Sequence, residues 1–226
     1  MSTSALLNLS QSVTVVVVHY QTPELLQQTV DSFREFYPSV PLLIVDNGSS
    51  GDSDAILTHY ESEQESNTTV HREKENLFHG PALDKSAREL VKTPFCFFLD
   101  SDTRTEKGGF LEEILQVLNE DPKNYAAGRQ ILANRRGFKD EAGFPILLTP
   151  YLMLKREDYP RFPPFIHHGQ PGLQHFMEVQ KAGFRIIDFP MHHYIHHIWR
   201  GTASKYGYRL GWRGKWDYLM NKLGWV

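Results

Sequence analysis

Cysteine is almost missing from this sequence. Cys96 stands alone among 226 residues, which excludes a disulfide framework and any zinc site built from thiolates. No apolar run approaches the roughly 18 residues that span a bilayer. Met1 to Ser12 lack both a basic start and a long apolar stretch, so they do not read as a secretory leader. A reducing cytoplasm is the expected setting. An excess of one charge is lacking too: 24 Lys and Arg face 27 Asp and Glu, and nothing in that balance calls for nucleic acid as a partner. Repeats and low-complexity tracts are absent. What remains is 40% hydrophobic, ordinary globular usage. A chain of this length buries roughly 70–75% of its unfolded surface, so one full core is expected.

Two residue types are unevenly spread. All four tryptophans (Trp199, Trp212, Trp216, Trp225) fall in the last 28 residues, and seven of the eleven histidines lie between His167 and His197.

The first half alternates apolar runs with helical patterns. Val13 to Val18 is an almost unbroken β-branched run, the mark of a strand buried on both faces. Thr22-Pro23 predicts a helix start. Leu26, Val30, Phe33 and Tyr37 then recur at spacings of 4, 3 and 4, one amphipathic stripe. Leu42 to Val45 is a second strand, a helix spans Ser53 to about Tyr60, and a weak strand lies near Val70. A helix is predicted over Ala82 to Val91, a strand over Phe95 to Leu99, and a helix over Phe110 to Leu118. This order predicts an α/β fold, a mostly parallel sheet with helices on both faces. Such sheets bind ligands at the carboxyl ends of their strands, where His19-Tyr20, Asp46-Asn47 and Asp100-Ser101-Asp102 stand. The second half is less regular. It offers a strand over Ala126 to Leu132, a charged loop from Asn134 to Ala142, an apolar segment from Phe144 to Leu154, a helix near Gly172 to Ala182 and a strand over Phe184 to Phe189.

Asp100-Ser101-Asp102 carries the strongest chemical signal. Paired carboxylates past a buried strand suit a divalent cation with oxygen ligands, which in turn stabilises the charge of a departing phosphate. The same residues also suit a plain turn. Asp46 ends the second strand, where a carboxylate accepts a hydrogen bond from a base or ribose; it equally suits an Asx-turn.

The segment Ile44-Val45-Asp46-Asn47-Gly48-Ser49-Ser50 resembles the nucleotide-sugar half of family 2 glycosyltransferases, which have the GT-A fold. Val15 to Pro23 is similar to that family's first strand and turn. Glu75-Asn76-Leu77 with Gly80 resembles its phosphate-side loop, and Phe98 to Asp102 its D-x-D motif. Tyr151 to Tyr159 resembles its acceptor-side segment, and Lys181 to Ile186 the strand that follows the acceptor helix. The six pieces come in the family's order. The resemblance implies a GT-A domain over 13–199, with a nucleotide-binding half (13–103) and an acceptor-binding half (104–199), after a tail of residues 1–12 and before a basic aromatic tail at 200–226. It implies hexosyl transfer from a nucleoside-diphosphate sugar, with UDP the expected nucleotide, to a hydroxyl of a glycan or lipid-linked acceptor, as in polysaccharide assembly. His19, Tyr20, Thr22, Asp46, Asn76, Asp100 and Ser101 would meet the nucleotide. Asp100 and Asp102 would hold Mn2+ or Mg2+, with Asp102 the catalytic carboxylate.

One departure stands out. Inverting members carry a Glu-Asp pair and a further Asp before the Lys-Ala-Gly element, one of them the general base. Here Pro171, Gly172 and Gln174 fall at those positions, and no carboxylate lies between Asp158 and Glu178. His168 is the candidate base in their place, since imidazole titrates near neutrality. Retention without a dedicated base, or binding without catalysis, stay open beside it.

His192 to His197 is the second histidine cluster. In extended chain, His193 and Ile195 would face one way and Tyr194 and His196 the other. Mn2+ accepts imidazole beside carboxylates, and many GT-A enzymes complete the metal shell with a C-terminal histidine. His197 is the expected ligand, His196 the next choice, and a histidine-only zinc site or an incidental surface cluster the rivals. Arg200 and Lys205 are placed to pair with phosphate oxygens. Beyond them Trp212, Trp216, Leu219 and Leu223 share one helical face among six cations (Arg200, Lys205, Arg209, Arg213, Lys215, Lys222). That pattern suits either a C-terminal helix docked on the domain or peripheral contact with anionic lipid. A sugar nucleotidyltransferase is the other enzyme class considered. It would carry a glycine-rich basic loop after the first strand, and His19-Tyr20-Gln21-Thr22-Pro23 has none.

Overall fold

The computed structural model describes residues 8–62, 67–166 and 170–198. A short helix α1 (Leu9–Ser12) leads into β1 (Val13–His19). Then come α2 (Pro23–Phe36), β2 (Leu42–Asp46), α3 (Ser53–Ser62), β3 (Thr68–Arg72) and α4 (His79–Lys85). The second half runs through β4 (Phe95–Asp100), β5 (Thr103–Thr105), α5 (Phe110–Glu120), β6 (Asn124–Ala133), β7 (Phe144–Lys155), α6 (Leu173–Lys181), β8 (Arg185–Asp188) and β9 (Ile195–His197).

Among the described residues seven strands form one sheet, in the order β3-β2-β1-β4-β7-β6-β8. Only β7 runs against its neighbours, β4 and β6; the remaining pairs are parallel. The expected mostly parallel α/β sheet is therefore present, with one reversed strand in its middle.

The β-branched run explains why β1 sits inside the sheet, between β2 and β4. Val13, Val15 and Val17 are fully buried against α2 and α5, in a core that takes in Leu26, Phe33, Phe110 and Leu115. Val16 and Val18 point the other way, into a second core with Leu83 of α4 and Phe176 of α6. Apolar side chains on both faces are what a strand covered on both sides requires.

Two local expectations change. The helix read over Ala82 to Val91 starts earlier, at His79, and after Lys85 widens into a π-helical turn, Ser86–Leu90. There the Ser86 hydroxyl donates to the Ala82 carbonyl at 2.7 Å, the back-bonding by which serine disturbs a helix. The second histidine cluster is not one extended run. Met191–His193 forms a 3-10 turn, closed by His193 N–H to Pro190 O (3.0 Å) and Tyr194 N–H to Met191 O (3.0 Å). This breaks the alternation: His193 is exposed, Tyr194 and Ile195 are both buried, His196 faces solvent and His197 faces inward.

Candidate functional site

The carboxyl ends of β1, β2 and β4 lie side by side, with His19 paired to Asp46 and Val18 to Asp100. Asp100 ends β4, and the turn after it is fastened by the Thr103 hydroxyl donating to Asp100 O at 2.8 Å. The chain then enters β5, which pairs antiparallel with β9, setting Thr103 opposite His197. Ile198 N–H donates to Asp102 O at 2.9 Å. This small ribbon carries a residue from the far end of the described chain to the D-x-D turn.

Three side chains meet there. His197 Nε2 lies 3.1 Å from Asp102 Oδ1 and 3.7 Å from Asp100 Oδ2. One ligand atom from each of Asp100, Asp102 and His197 falls within 4.8 Å of the others. Asp102 and His197 are buried while Asp100 is part exposed, so the cluster is walled on one side and open on the other. Burial alone would depress His197, but its bonds and charge contacts with Asp100 and Asp102 outweigh it and lift the ring to about 9. At neutral pH the ring carries a proton, which a divalent cation would displace. The ring of Tyr151, on β7 beside β4, meets His197 edge-on at 6.2 Å, and Arg129 Nη1 donates to its hydroxyl at 3.4 Å.

The nucleotide residues expected from sequence gather at the same end, unequally exposed. Tyr20 and Ser101 are half-buried and Asn76 is exposed. Asp46 is buried, its carboxylate accepting the Ser49 N–H at 3.1 Å, an Asx-turn that shapes the loop after β2. Thr22 is buried and makes no side-chain cap of α2. His19 is sealed: its Nε2 bonds the Ser53 hydroxyl at 3.0 Å, and burial depresses the ring to about 4 against the pull of Asp46. Its side chain therefore props the start of α3 from beneath the turn.

Asn47 and Asn76 clamp the next loop. Asn47 Nδ2 donates to Asn76 Oδ1 at 3.0 Å, Leu77 N–H to Asn47 Oδ1 at 2.9 Å, and Phe78 N–H to Asn76 Oδ1 at 2.7 Å. The loop delivers His79, whose Nε2 stands 3.4 Å from Asp100 Oδ1. His79 escaped the sequence reading, because no motif marks it; only the place where α4 begins brings it to the cleft.

The region expected to hold the base gives a different picture. His168 lies outside the described residues, as do Arg200, Lys205 and the tryptophan-bearing tail. His175, in the same carboxylate-poor stretch, is fully buried. Its Nε2 bonds the Tyr125 hydroxyl and its Nδ1 the Pro163 carbonyl, both at 2.7 Å, and it stacks on Tyr159 with ring centres 4.6 Å apart. It ties the loop before α6 to the core.

Residues 14–179 match the family described as Glycosyl transferase family 2. No curated protein matches the sequence. Among solved structures, the chain is similar to a mannosyltransferase, PcManGT, from Pyrobaculum calidifontis in complex with GDP-Man and Mn2+: TM-score 0.64, 20% identity, covering 79% of this chain and 54% of that one. It is also similar to S. aureus TarS in complex with UDP-GlcNAc, with TM-score 0.59 and 15% identity over 81% of this chain and 57% of that one. At such identity these matches show a shared fold, and the chain spans little more than half the length of either protein.

Proposed function

The chain belongs to glycosyl transferase family 2, and from that premise we propose that it transfers a sugar from a nucleoside-diphosphate sugar, UDP-linked by preference, to a hydroxyl of a glycan or lipid-linked acceptor. The observation that carries the proposal is the meeting of Asp100 and Asp102, from the middle of the chain, with His197, from the far end of the described residues. The donor set, two carboxylates and one imidazole with an open side, fits Mn2+ or Mg2+. When bound, the ion would supply positive charge where the leaving diphosphate develops negative charge.

The remaining roles belong to the protein's own residues. Tyr20, Asn76 and Ser101 line the nucleotide, and Asp46 shapes the loop beside the ribose while its second oxygen reads a hydroxyl. His19 and Thr22 support that turn from within. Residues 13–103 thus form the donor half and 104–199 the acceptor half. Similarity to one structure holding GDP-Man and Mn2+ and another holding UDP-GlcNAc supports a sugar-nucleotide donor. The basic aromatic segment at 200–226 is proposed to touch anionic lipid at a cytoplasmic membrane face.

Calorimetry with UDP tests this reading. Affinity should rise with Mn2+, and Asp102→Ala should remove the metal-dependent part, a loss of tenfold or more. Affinity indifferent to both the ion and the substitution would defeat the proposal.

A second reading, donor binding without transfer, is favoured by one observation. In the stretch from Phe162 to Val179 the only described imidazole, His175, is locked into the core, so the described residues there supply no free base. Screening sugar nucleotides for slow hydrolysis separates the two. Turnover that is lost in His168→Ala supports the enzyme with His168 as base; binding without any turnover supports the second reading.

A further inference from the structure

Asp100 uses its two oxygens differently. Oδ2 lies 3.7 Å from His197 Nε2, on the side of the metal cluster, whereas Oδ1 lies 3.4 Å from His79 Nε2. The carboxylate is held between two imidazoles. His79 does not itself complete the cluster, which consists of Asp100, Asp102 and His197. Its Nε2 is buried and has no hydrogen-bond partner, although about a third of the side chain is exposed. A buried N–H that goes unanswered is costly, and Asp100 Oδ1 is the acceptor that stands opposite it. At 3.4 Å the contact is long for a hydrogen bond and within ion-pair range.

The backbone is strained to put His79 there. Phe78, just before α4, has a φ of +69°, a conformation that is strained for a non-glycine residue and persists only where its surroundings impose it. Those surroundings are visible. The Asn47–Asn76 clamp holds the residues in front. Behind, Gly80 is pressed so closely on the Ile166 backbone that a Cβ would sit 1.8 Å from its carbonyl oxygen. Both sides of His79 are therefore pinned, and what the pinning delivers is an imidazole against the outer oxygen of a metal-cluster carboxylate. Ligand carboxylates are commonly aimed by such outer contacts, whose loss costs 10–100-fold in metal affinity.

We propose that His79 is a positioning residue for Asp100: its Nε2–H directed at Oδ1 turns Oδ2 toward His197 and so sets the open side of the cation site. The proposal rests on the reading of the cluster as a cation site. It predicts that His79 governs the affinity for the ion even when no sugar nucleotide is present.

The test is titration of the full chain with Mn2+ alone, followed by the paramagnetic resonance signal of free Mn2+ and by calorimetry. The proteins compared are the wild type, Asp102→Ala, His79→Ala, His79→Gln, Asp100→Asn and the His79→Ala/Asp100→Asn pair. Melting temperatures confirm that each is folded. Binding should disappear in Asp102→Ala and weaken about tenfold in His79→Ala. It should recover in His79→Gln, whose amide reaches the same oxygen as a donor. In the Asp100→Asn background His79→Ala should cost nothing further, because His79 acts through that carboxylate. No binding by the wild type would overturn both the cation site and the role of His79. Binding that is lost in Asp102→Ala but unchanged in His79→Ala would overturn the role of His79 alone. A His79→Ala defect that persists at full size in the Asp100→Asn background would do the same.

Discussion

His175 is enclosed by Tyr125, Tyr159, Phe162, Phe165 and Phe176, and burial depresses its ring to about 4 even though the Pro163 carbonyl favours the charged form. His19 is depressed to about 4 for the same reason. Both rings take up a proton more readily in the unfolded chain, where the ordinary value is near 6.5. Their contribution is whole above that value and is lost as pH falls toward 4, on the order of 3 kcal/mol for each. The melting temperature should thus drop between pH 7 and pH 5, and the drop should be shallower in His175→Asn, although that variant starts from a lower value. A melting curve in His175→Asn as steep in pH as the wild type would show that the ring is not the acid-sensitive group. In the sequence His175 was one of several histidines in a stretch short of carboxylates. Nothing there separated a core residue from a base. The cage of aromatic rings does so, and those rings come from three separate parts of the chain. Asp100 and Asp102 were legible because they stand one residue apart at the end of an apolar strand. His79 was not, since its position depends on a loop clamp.

The amphipathic stripe of α2 was read from its apolar spacing, and Leu26, Val30 and Phe33 are indeed buried. The same helix buries a second, polar stripe that the spacing did not announce. The Thr29 hydroxyl donates to Thr103 O at 2.8 Å and accepts from Thr103 N–H at 3.3 Å, and the Ser32 hydroxyl accepts the Thr105 N–H at 3.1 Å. These bonds hold β5 against the helix, and β5 in turn pairs with the strand that carries His197. Thr29→Val keeps the shape but leaves buried backbone groups of Thr103 unanswered. It should cost about 1–3 kcal/mol in denaturant unfolding and weaken Mn2+ binding, although the Thr29 hydroxyl is bonded to the Thr103 backbone and not placed in the cluster. A stability loss without any change in Mn2+ affinity would show that β5 does not set the histidine. Hydroxyls escape a hydrophobic pattern because they read as exposed surface until a strand is laid across them.

The middle of the chain and the far end of the described residues are joined by more than the metal cluster. Tyr194 stacks on Phe189, packs on Phe110 and donates to Glu113 at 2.8 Å, while its carbonyl accepts the Glu106 N–H at 2.7 Å. Removal of 199–226 bears on the proposed membrane contact. It should abolish sedimentation with vesicles rich in anionic lipid if that segment makes the membrane contact; sedimentation that persists would place the contact elsewhere. By itself the sequence determined the strand–helix alternation, the buried β-branched centre, the D-x-D turn and the family, because these depend on periodicity and on neighbours a few residues apart. Only the tertiary structure decided that β7 runs against the sheet, that His197 rather than His196 turns inward, that His19 and His175 are sealed, and that His79 faces Asp100. Each of these depends on contacts between residues distant in the chain, whose closure follows from the packing of the whole sheet and leaves no local pattern to read.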